Sequence, residues 1–391
     1  MTRSKLIRFA LVRLGLGLFI ISACTDLPTA SLDFEGDEDS IWQNSANDDA
    51  LRILTWNAYL GGDTGPLFSM DFNDVPAVLQ AVNTFWAQVQ SSDIDARMGA
   101  IADEIAAKKP HIVSLLEIVQ FGVVDMTTGQ VVGGADLLTS LQAQLAQRGL
   151  AYELVAAQAN TSSALPLEVD MNTFQVTKVL SFTDRVAMLR RSDIAPTSVV
   201  QGKYQTAYDL GPLKLERGYV RTSFRFDEAD YHVVATHLET QGLAPIQAGQ
   251  LQELMDGVLA GLEGVTILTG DLNSDAEGQP GDPSYTESYE TLLAAGFKDA
   301  WLESSARDTH DGVTCCQSPA LRNGASLLDE RIDFVLYRLT RNGEVVADVP
   351  GAVYMELVGE EQGDRVGADG LWPADHAGLA GMLRLVENAG G

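Results

Sequence analysis

From Leu51 to Leu385 the chain alternates short apolar runs with amphipathic stretches. Leu51–Asn57 reads as an apolar strand that closes on a polar residue. Met98, Ile101 and Ile105 at helical spacing predict a helix over about Ala96–Lys108, stopped by Pro110, and His111–Glu117 then returns to a buried-strand pattern. A second helix, Asp136–Arg148, ends at Gly149, a residue suited to a helix C-terminus. Strand-like runs recur at Tyr152–Ala157, Arg185–Leu189, Tyr219–Phe226, His232–His237, Val265–Thr269, Ile332–Tyr337 and Leu379–Leu385. Helices are expected at Pro245–Leu262 and Ser288–Ala295. Gly61–Ser92, Ile118–Gly134 and Ser274–Thr286 read as loops. In the first of these the apolar segment Phe68–Trp86 is expected to pack in the core, with lipid contact as the alternative. No repeat or second linker interrupts this span, so one domain with large mixed sheets, α/β or α+β, is the simplest reading.

The two ends differ from this middle. Residues 1–23 begin with Arg3, Lys5, Arg8 and Arg13, continue through an apolar stretch and end in small residues, the form of a secretory signal. The run Leu14–Ala23 is half the length a bilayer span needs. Ile21-Ser22-Ala23-Cys24 resembles the bacterial lipobox, so Cys24 is expected to be the lipidated first residue of the mature protein; an ordinary signal peptide is the alternative. Residues 24–50 hold eight acids and no base and read as a disordered tether, leaving 51–388 as the folded domain. This places the protein at a bacterial cell envelope, lipid-anchored to the membrane and facing the periplasm or exterior.

Composition narrows the class. Of 391 residues, 46% are apolar and 20% charged, which excludes a disordered chain or a disulfide miniprotein. The 26 bases against 54 acids give a net charge of −28, which disfavours a stoichiometric nucleic-acid binder but not an enzyme that neutralises its substrate with a metal. Lys178 to Arg225 runs against the trend, with nine bases and four acids. It reads either as a solvated strand face or as a rim that draws in an anion.

Polar residues cluster at the ends of the expected buried strands: Asn57, Glu117, His237, Asp271 with Asn273, Asp333, and Asp375 with His376. A carboxylate at the end of an apolar strand is costly to desolvate unless compensated, and an oxygen-rich, sulfur-free set suits Mg²⁺, with Mn²⁺ or Ca²⁺ as alternatives, better than zinc. Two histidines among acids suit acid–base chemistry near neutral pH. Singly, each of these residues is more often a satisfied hydrogen-bonding group than a catalyst.

Taken in order, Thr55-Trp56-Asn57, Leu115-Leu116-Glu117, Ala235-Thr236-His237-Leu238, Gly270-Asp271-Leu272-Asn273, Arg331-Ile332-Asp333-Phe334 and Ala374-Asp375-His376 resemble the endonuclease/exonuclease/phosphatase superfamily. The resemblance implies a four-layer α/β/β/α sandwich of two mixed sheets, deoxyribonuclease I-like, with the site at one end. It also implies roles. Glu117 holds the divalent metal, Asn57 orients Glu117 or the phosphate, and Asp375 is a metal or supporting carboxylate. His376 is a general base or phosphate contact, oriented by Asp333, and Asp271 positions water. Asn273 donates to the phosphate, and His237 contacts it or protonates the leaving oxygen. Asp184 is a possible partner of His237, with a turn before a strand as the alternative, and Arg217 a possible phosphate contact, with a surface arginine as the alternative. The implied activity is metal-dependent phosphoester hydrolysis by a monomer. A nuclease-like phosphodiesterase is favoured over a sphingomyelinase or phospholipase C-type headgroup hydrolase, and a non-catalytic surface binding protein is the rival from outside the enzymes.

Cys315 and Cys316 are adjacent, and in an oxidising compartment they are expected to form a vicinal disulfide. Zinc binding by the pair is disfavoured because further soft ligands are missing. His111 and His232 read as structural, and His310 as a weaker site candidate.

Overall fold

The computed structural model describes Phe34, Gly36 and residues 38–385 other than 212, 305, 306, 308, 309, 348 and 350. The signal segment and Cys24 lie outside the described residues.

The strand Leu51–Asn57 is the organising element. Leu51 and Ile53 face one way, into an apolar layer shared with Val233, Ile267 and Val335, while Leu54 and Trp56 face the other, onto helices. This period-two alternation of two apolar faces is what a sheet covered on both sides requires. In the first sheet the order runs Gly351–Val358, Gly378–Leu385, Leu51–Asn57, Ile112–Leu116, Gln175–Arg191, Gln120–Asp125, Gln130–Asp136, with Tyr152–Asp170 also paired to Gln175–Arg191. The second runs Lys298–Asp299, Asp333–Arg341, Gly264–Asp271, Ala229–His237, Gly218–Phe226, Pro196–Lys203, with Glu344–Val345 paired to Asp333–Arg341. One apolar cluster fills the space between the sheets. Helices Val75–Ser91, Ile94–Lys108 and Leu137–Gln147 cover the outer face of the first sheet. Helices Ala244–Glu253 and Ser288–Ala294 cover the second. The result is the expected four-layer α/β/β/α sandwich.

Pairing brings the strand ends together. Leu51–Asn57 lies parallel to Ile112–Leu116, and Ala229–His237 parallel to Gly264–Asp271, so Asn57, Glu117, His237 and Asp271 share one end. The antiparallel strand Asp333–Arg341 starts at that end, with Asp333 opposite Asp271. Gly378–Leu385 also starts there, opposite Leu51–Asn57, which delivers Asp375 and His376.

Three regions differ from the sequence expectation. The acidic stretch is ordered from Glu38: helix Glu38–Gln43 and the turn Ser45–Asn47 bury Ile41 and Trp42, whose Nε1 donates to Glu356 Oε2 at 2.5 Å. The folded domain therefore begins before Leu51. Gly61–Ser92 is mostly helix, and Ile118–Gly134 is largely a strand hairpin.

Candidate active site

At the shared strand ends, a cavity of about 490 Å³ opens over Glu117, His237, Asp271, Asn273 and His376. Its floor is held by backbone that few sequences allow. Glu117 and Asn273 adopt φ of 50° and 48°, turning their side chains inward just past their strands. Gly270 has φ +128°, and a Cβ there would stand 2.0 Å from Thr236 O, which explains the glycine of Gly270-Asp271-Leu272-Asn273.

His376 and Asp333 form a dyad, Nδ1 to Oδ2 at 2.7 Å. Asp333 is fixed in turn by Thr314, whose Oγ1 accepts from its backbone N–H, and Trp56 Nε1 donates to His376 O. Nε2 of His376 faces Asp271 Oδ2 and Asp375 Oδ1, each at 4.0 Å. Burial alone would push this imidazole down, but Asp333, Asp375 and Asp271 outweigh it and hold it well above the usual histidine range. Burial, with Asp333 as a like-charged neighbour, pushes Asp271 up to about 7. Asp375 also rises to about 7, by burial against the pull of His376, with Glu117 adding to the rise.

The second histidine sits differently. His237 Nε2 lies 3.0 Å from Asn273 Nδ2 and 3.4 Å from Asp271 Oδ2, while its Nδ1 meets Arg217 at 2.9 Å. A guanidinium has no lone pair, so Nδ1 accepts; the proton of the neutral ring is then on Nε2 with Asp271 Oδ2 as its acceptor, and Asn273 Nδ2 donates to Leu238 O. Burial, then Arg217 and His376, hold it well below the usual histidine range. Arg217 is clamped by Glu239 at 3.1 Å and 3.3 Å. Burial would raise the Glu239 carboxyl, but Arg217 overcomes that and keeps it below the ordinary value.

Three expected roles change. Asp184 does not touch His237; it takes an amide hydrogen bond from Asn160, and burial pushes it up to about 6. Arg217 is no surface arginine: it is buried, bonded to His237 and Glu239, and lines the cavity. Asn57 donates to Asp271 Oδ2 at 3.1 Å and accepts from Tyr59 N, so it orients Asp271 rather than Glu117. Glu117 instead accepts from Leu60 N at 3.2 Å.

Glu239, Thr314 and Arg97 were not legible as site residues. Arg97, fully buried and lowered to about 10 by burial, donates Nε to Pro373 O and Nη2 to Tyr59 O, tying together the segments that carry Asn57 and Asp375. His111 is structural, as expected: Nδ1 accepts from Arg52 N. His232 bonds Ser223 and Glu263 O, and His310 is exposed outside the cavity.

The basic stretch is not a free rim. Lys178, Arg185, Arg190, Arg191, Lys203, Lys214 and Arg217 each pair with a carboxylate, and Arg221 and Arg225 donate to carbonyls. One wall of the cavity is apolar, built from Leu60, Leu67, Phe68, Phe85, Phe121 and Phe182. Phe68 is therefore exposed to the cavity, whereas Phe85 of the same segment is buried in the core, as expected, and reaches the wall from there. The Cys315–Cys316 pair is disulfide-bonded and also lines the cavity.

Among solved structures the chain resembles an endonuclease/exonuclease/phosphatase family protein from Leptotrichia buccalis C-1013-b, with a TM-score of 0.50 and 14% identity over 86% of this chain and 100% of that one. It also resembles an endonuclease/exonuclease/phosphatase from Beutenbergia cavernae DSM 12333, with a TM-score of 0.52 and 20% identity over 86% of this chain and 72% of the other. The chain has the endonuclease/exonuclease/phosphatase fold. No family model and no curated protein matches it. Within this fold the eight strand-end residues singled out by the sequence lie at one end of the two sheets, and the Arg217–Glu239 pair stands behind His237.

Proposed function

We propose that the chain is a divalent-metal-dependent phosphodiesterase. The observation that supports this best is the convergence, on one buried strand end, of the His376–Asp333 dyad with Asp271, Asn273, His237, Glu117 and Asp375. The residues fit a hard cation. Asp375 Oδ1 has no hydrogen-bond partner, and the Glu117 carboxylate acts on it as a like charge that a hard cation would offset. Glu117 and Asp375 would hold Mg²⁺, or Mn²⁺ or Ca²⁺ in its place. The cation would supply charge neutralisation for the phosphate. Asn57 holds Asp271 in place to orient the attacking water, and His376, oriented by Asp333, takes up its proton. His237 and Asn273 line the cavity as neutral polar groups beside the phosphate position, so charge builds where polar groups already stand. With its lipobox at Cys24, the protein acts at the cell envelope.

A nuclease-like reaction is the first reading of the substrate. A second, a phospholipid headgroup, is favoured by the apolar cavity wall and by the bases of Lys178–Arg225 being engaged by carboxylates or, for Arg221 and Arg225, by carbonyls. Hydrolysis of bis-(p-nitrophenyl) phosphate with Mg²⁺ and with EDTA, by the native chain and His376→Ala, tests the phosphodiesterase. Metal-dependent turnover lost in the variant is expected, and turnover unaffected by the substitution would overturn the site. Supercoiled DNA, RNA and sphingomyelin vesicles then separate the substrates. Failure on all of them with the fold intact would favour a binding protein.

A further inference from the structure

The Cys315–Cys316 pair stands against the dyad. Cys316 Sγ lies 3.9 Å from His376 Nε2, and the two sulfurs and this nitrogen all fall within 4.8 Å of one another. The segment is tied on both sides. Thr314 O accepts from Ala377 N, Gln317 N donates to Asp375 O, and Cys315 exchanges backbone hydrogen bonds with Glu330. His376 is already presented as a metal-binding histidine usually is, its Nδ1 bonded to the Asp333 carboxylate and its Nε2 directed away from it. The fold thus adds to the two sulfurs a third zinc-compatible ligand, an imidazole nitrogen that the sequence sets sixty residues away.

We propose that, once the Cys315–Cys316 bond is reduced, the two thiolates and His376 Nε2 form a site for a thiophilic cation of the zinc class, whose occupation silences the hydrolase. The silencing half rests on the phosphodiesterase reading; the cation site does not. Tetrahedral zinc with ordinary bond lengths separates a sulfur and a nitrogen ligand by about 3.5 Å, close to the spacing already present. Three protein ligands leave a fourth position for water. Reduction adds two electrons and two protons to the disulfide; a phosphine reductant becomes the phosphine oxide, its oxygen coming from water. Cation binding then displaces the thiol protons and any proton on Nε2. A metal on Nε2 occupies the lone pair that would receive the proton from water, while Glu117 and Asn57 are left untouched.

The test uses the full chain, reduced with a water-soluble phosphine and freed of it under inert gas. Co²⁺ serves as the spectroscopic probe and Zn²⁺ as the effector. The reduced chain is expected to show thiolate-to-cobalt charge-transfer absorption, absent from the oxidised chain and from Cys315→Ser/Cys316→Ser. His376→Ala should weaken Co²⁺ binding by about tenfold or more. Zinc should abolish turnover of bis-(p-nitrophenyl) phosphate by the reduced chain alone, with recovery on chelation and return of Mg²⁺. Should the double variant lose its fold by circular dichroism, Cys316→Ser alone replaces it. Absence of the thiolate band, undiminished affinity in His376→Ala, or full turnover in the zinc-loaded chain would each overturn the proposal. If the band forms but the metal-exchanged reduced and oxidised chains hydrolyse no phosphodiester, the cation site stands and the phosphodiesterase reading falls, with the silencing.

Discussion

Arg217 and His237 meet with a guanidinium nitrogen 2.9 Å from Nδ1, so a buried cation, not a carboxylate, stands behind this histidine. Arg217→Met should lower turnover by about 10²-fold, since the ring loses its orientation. It should also destabilise the fold by about 3–5 kcal/mol, because Glu239 is left buried and unpaired. Adding Glu239→Met should restore the melting temperature but not the turnover. Recovery of both would mean that the pair is only structural.

Asp333 raises His376, so the acid limb of a pH–rate profile lies higher than for a free imidazole. A base works only when deprotonated, so activity should rise with pH through that limb. In Asp333→Asn the limb should move to lower pH and kcat should fall by about 10³–10⁴-fold. A profile unmoved by the substitution would remove His376 from the role of base.

Glu360 is pushed up to about 7 by burial, and its Oε2 is buried without a partner. Because the folded value exceeds the unfolded one, the stability this group contributes is complete below about pH 4.5 and lost as pH rises through 7. Glu360→Gln should therefore stabilise the protein at pH 8 by about 1–2 kcal/mol, after allowing for its remaining exposure, and change little at pH 4. Denaturant melts at the two pH values check this.

Trp42 belongs to the fold, so Trp42→Ala should cost about 3–5 kcal/mol. A chain starting at Leu51 should be destabilised relative to one starting at Thr25. Equal melting temperatures would return residues 25–50 to the status of a tether.

With the bases of Lys178–Arg225 all engaged, phosphodiester turnover should depend weakly on salt. A steep fall between about 50 and 200 mM would instead indicate a track of phosphate contacts.

The strand ends that matter chemically were legible because a polar residue closing an apolar run is conspicuous: Asn57, Glu117, His237, Asp271 and Asp333 all lie where the pattern put them. The hairpins were not. Gln130–Asp136 and the far halves of Tyr152–Asp170 and Gln175–Arg191 have much solvent-exposed surface and lack the alternation a one-sided strand shows, and the alternation of Phe121 and Val123 is too short to stand out. The helix Val75–Ser91 did leave a signal in the spacing of Val78, Val82, Phe85 and Val89, obscured by its β-branched residues. Glu239 gave no signal in the sequence, and the expected pairing of Asp184 with His237 missed the Arg217 that actually meets this ring, because which charge meets which depends on how the strands stack.

The opposition of Asp271 and Asp333 across two antiparallel strands carries a consequence for how this protein can change. Both carboxylates owe their spacing to the ladder between Gly264–Asp271 and Asp333–Arg341, not to a loop. A slip of one residue would present Phe334 where Asp333 belongs and turn every neighbouring side chain to the opposite face. Loops around the cavity are free to lengthen or shorten, whereas a single insertion or deletion inside either strand would dismantle the interlayer packing and the proton-handling groups in the same stroke.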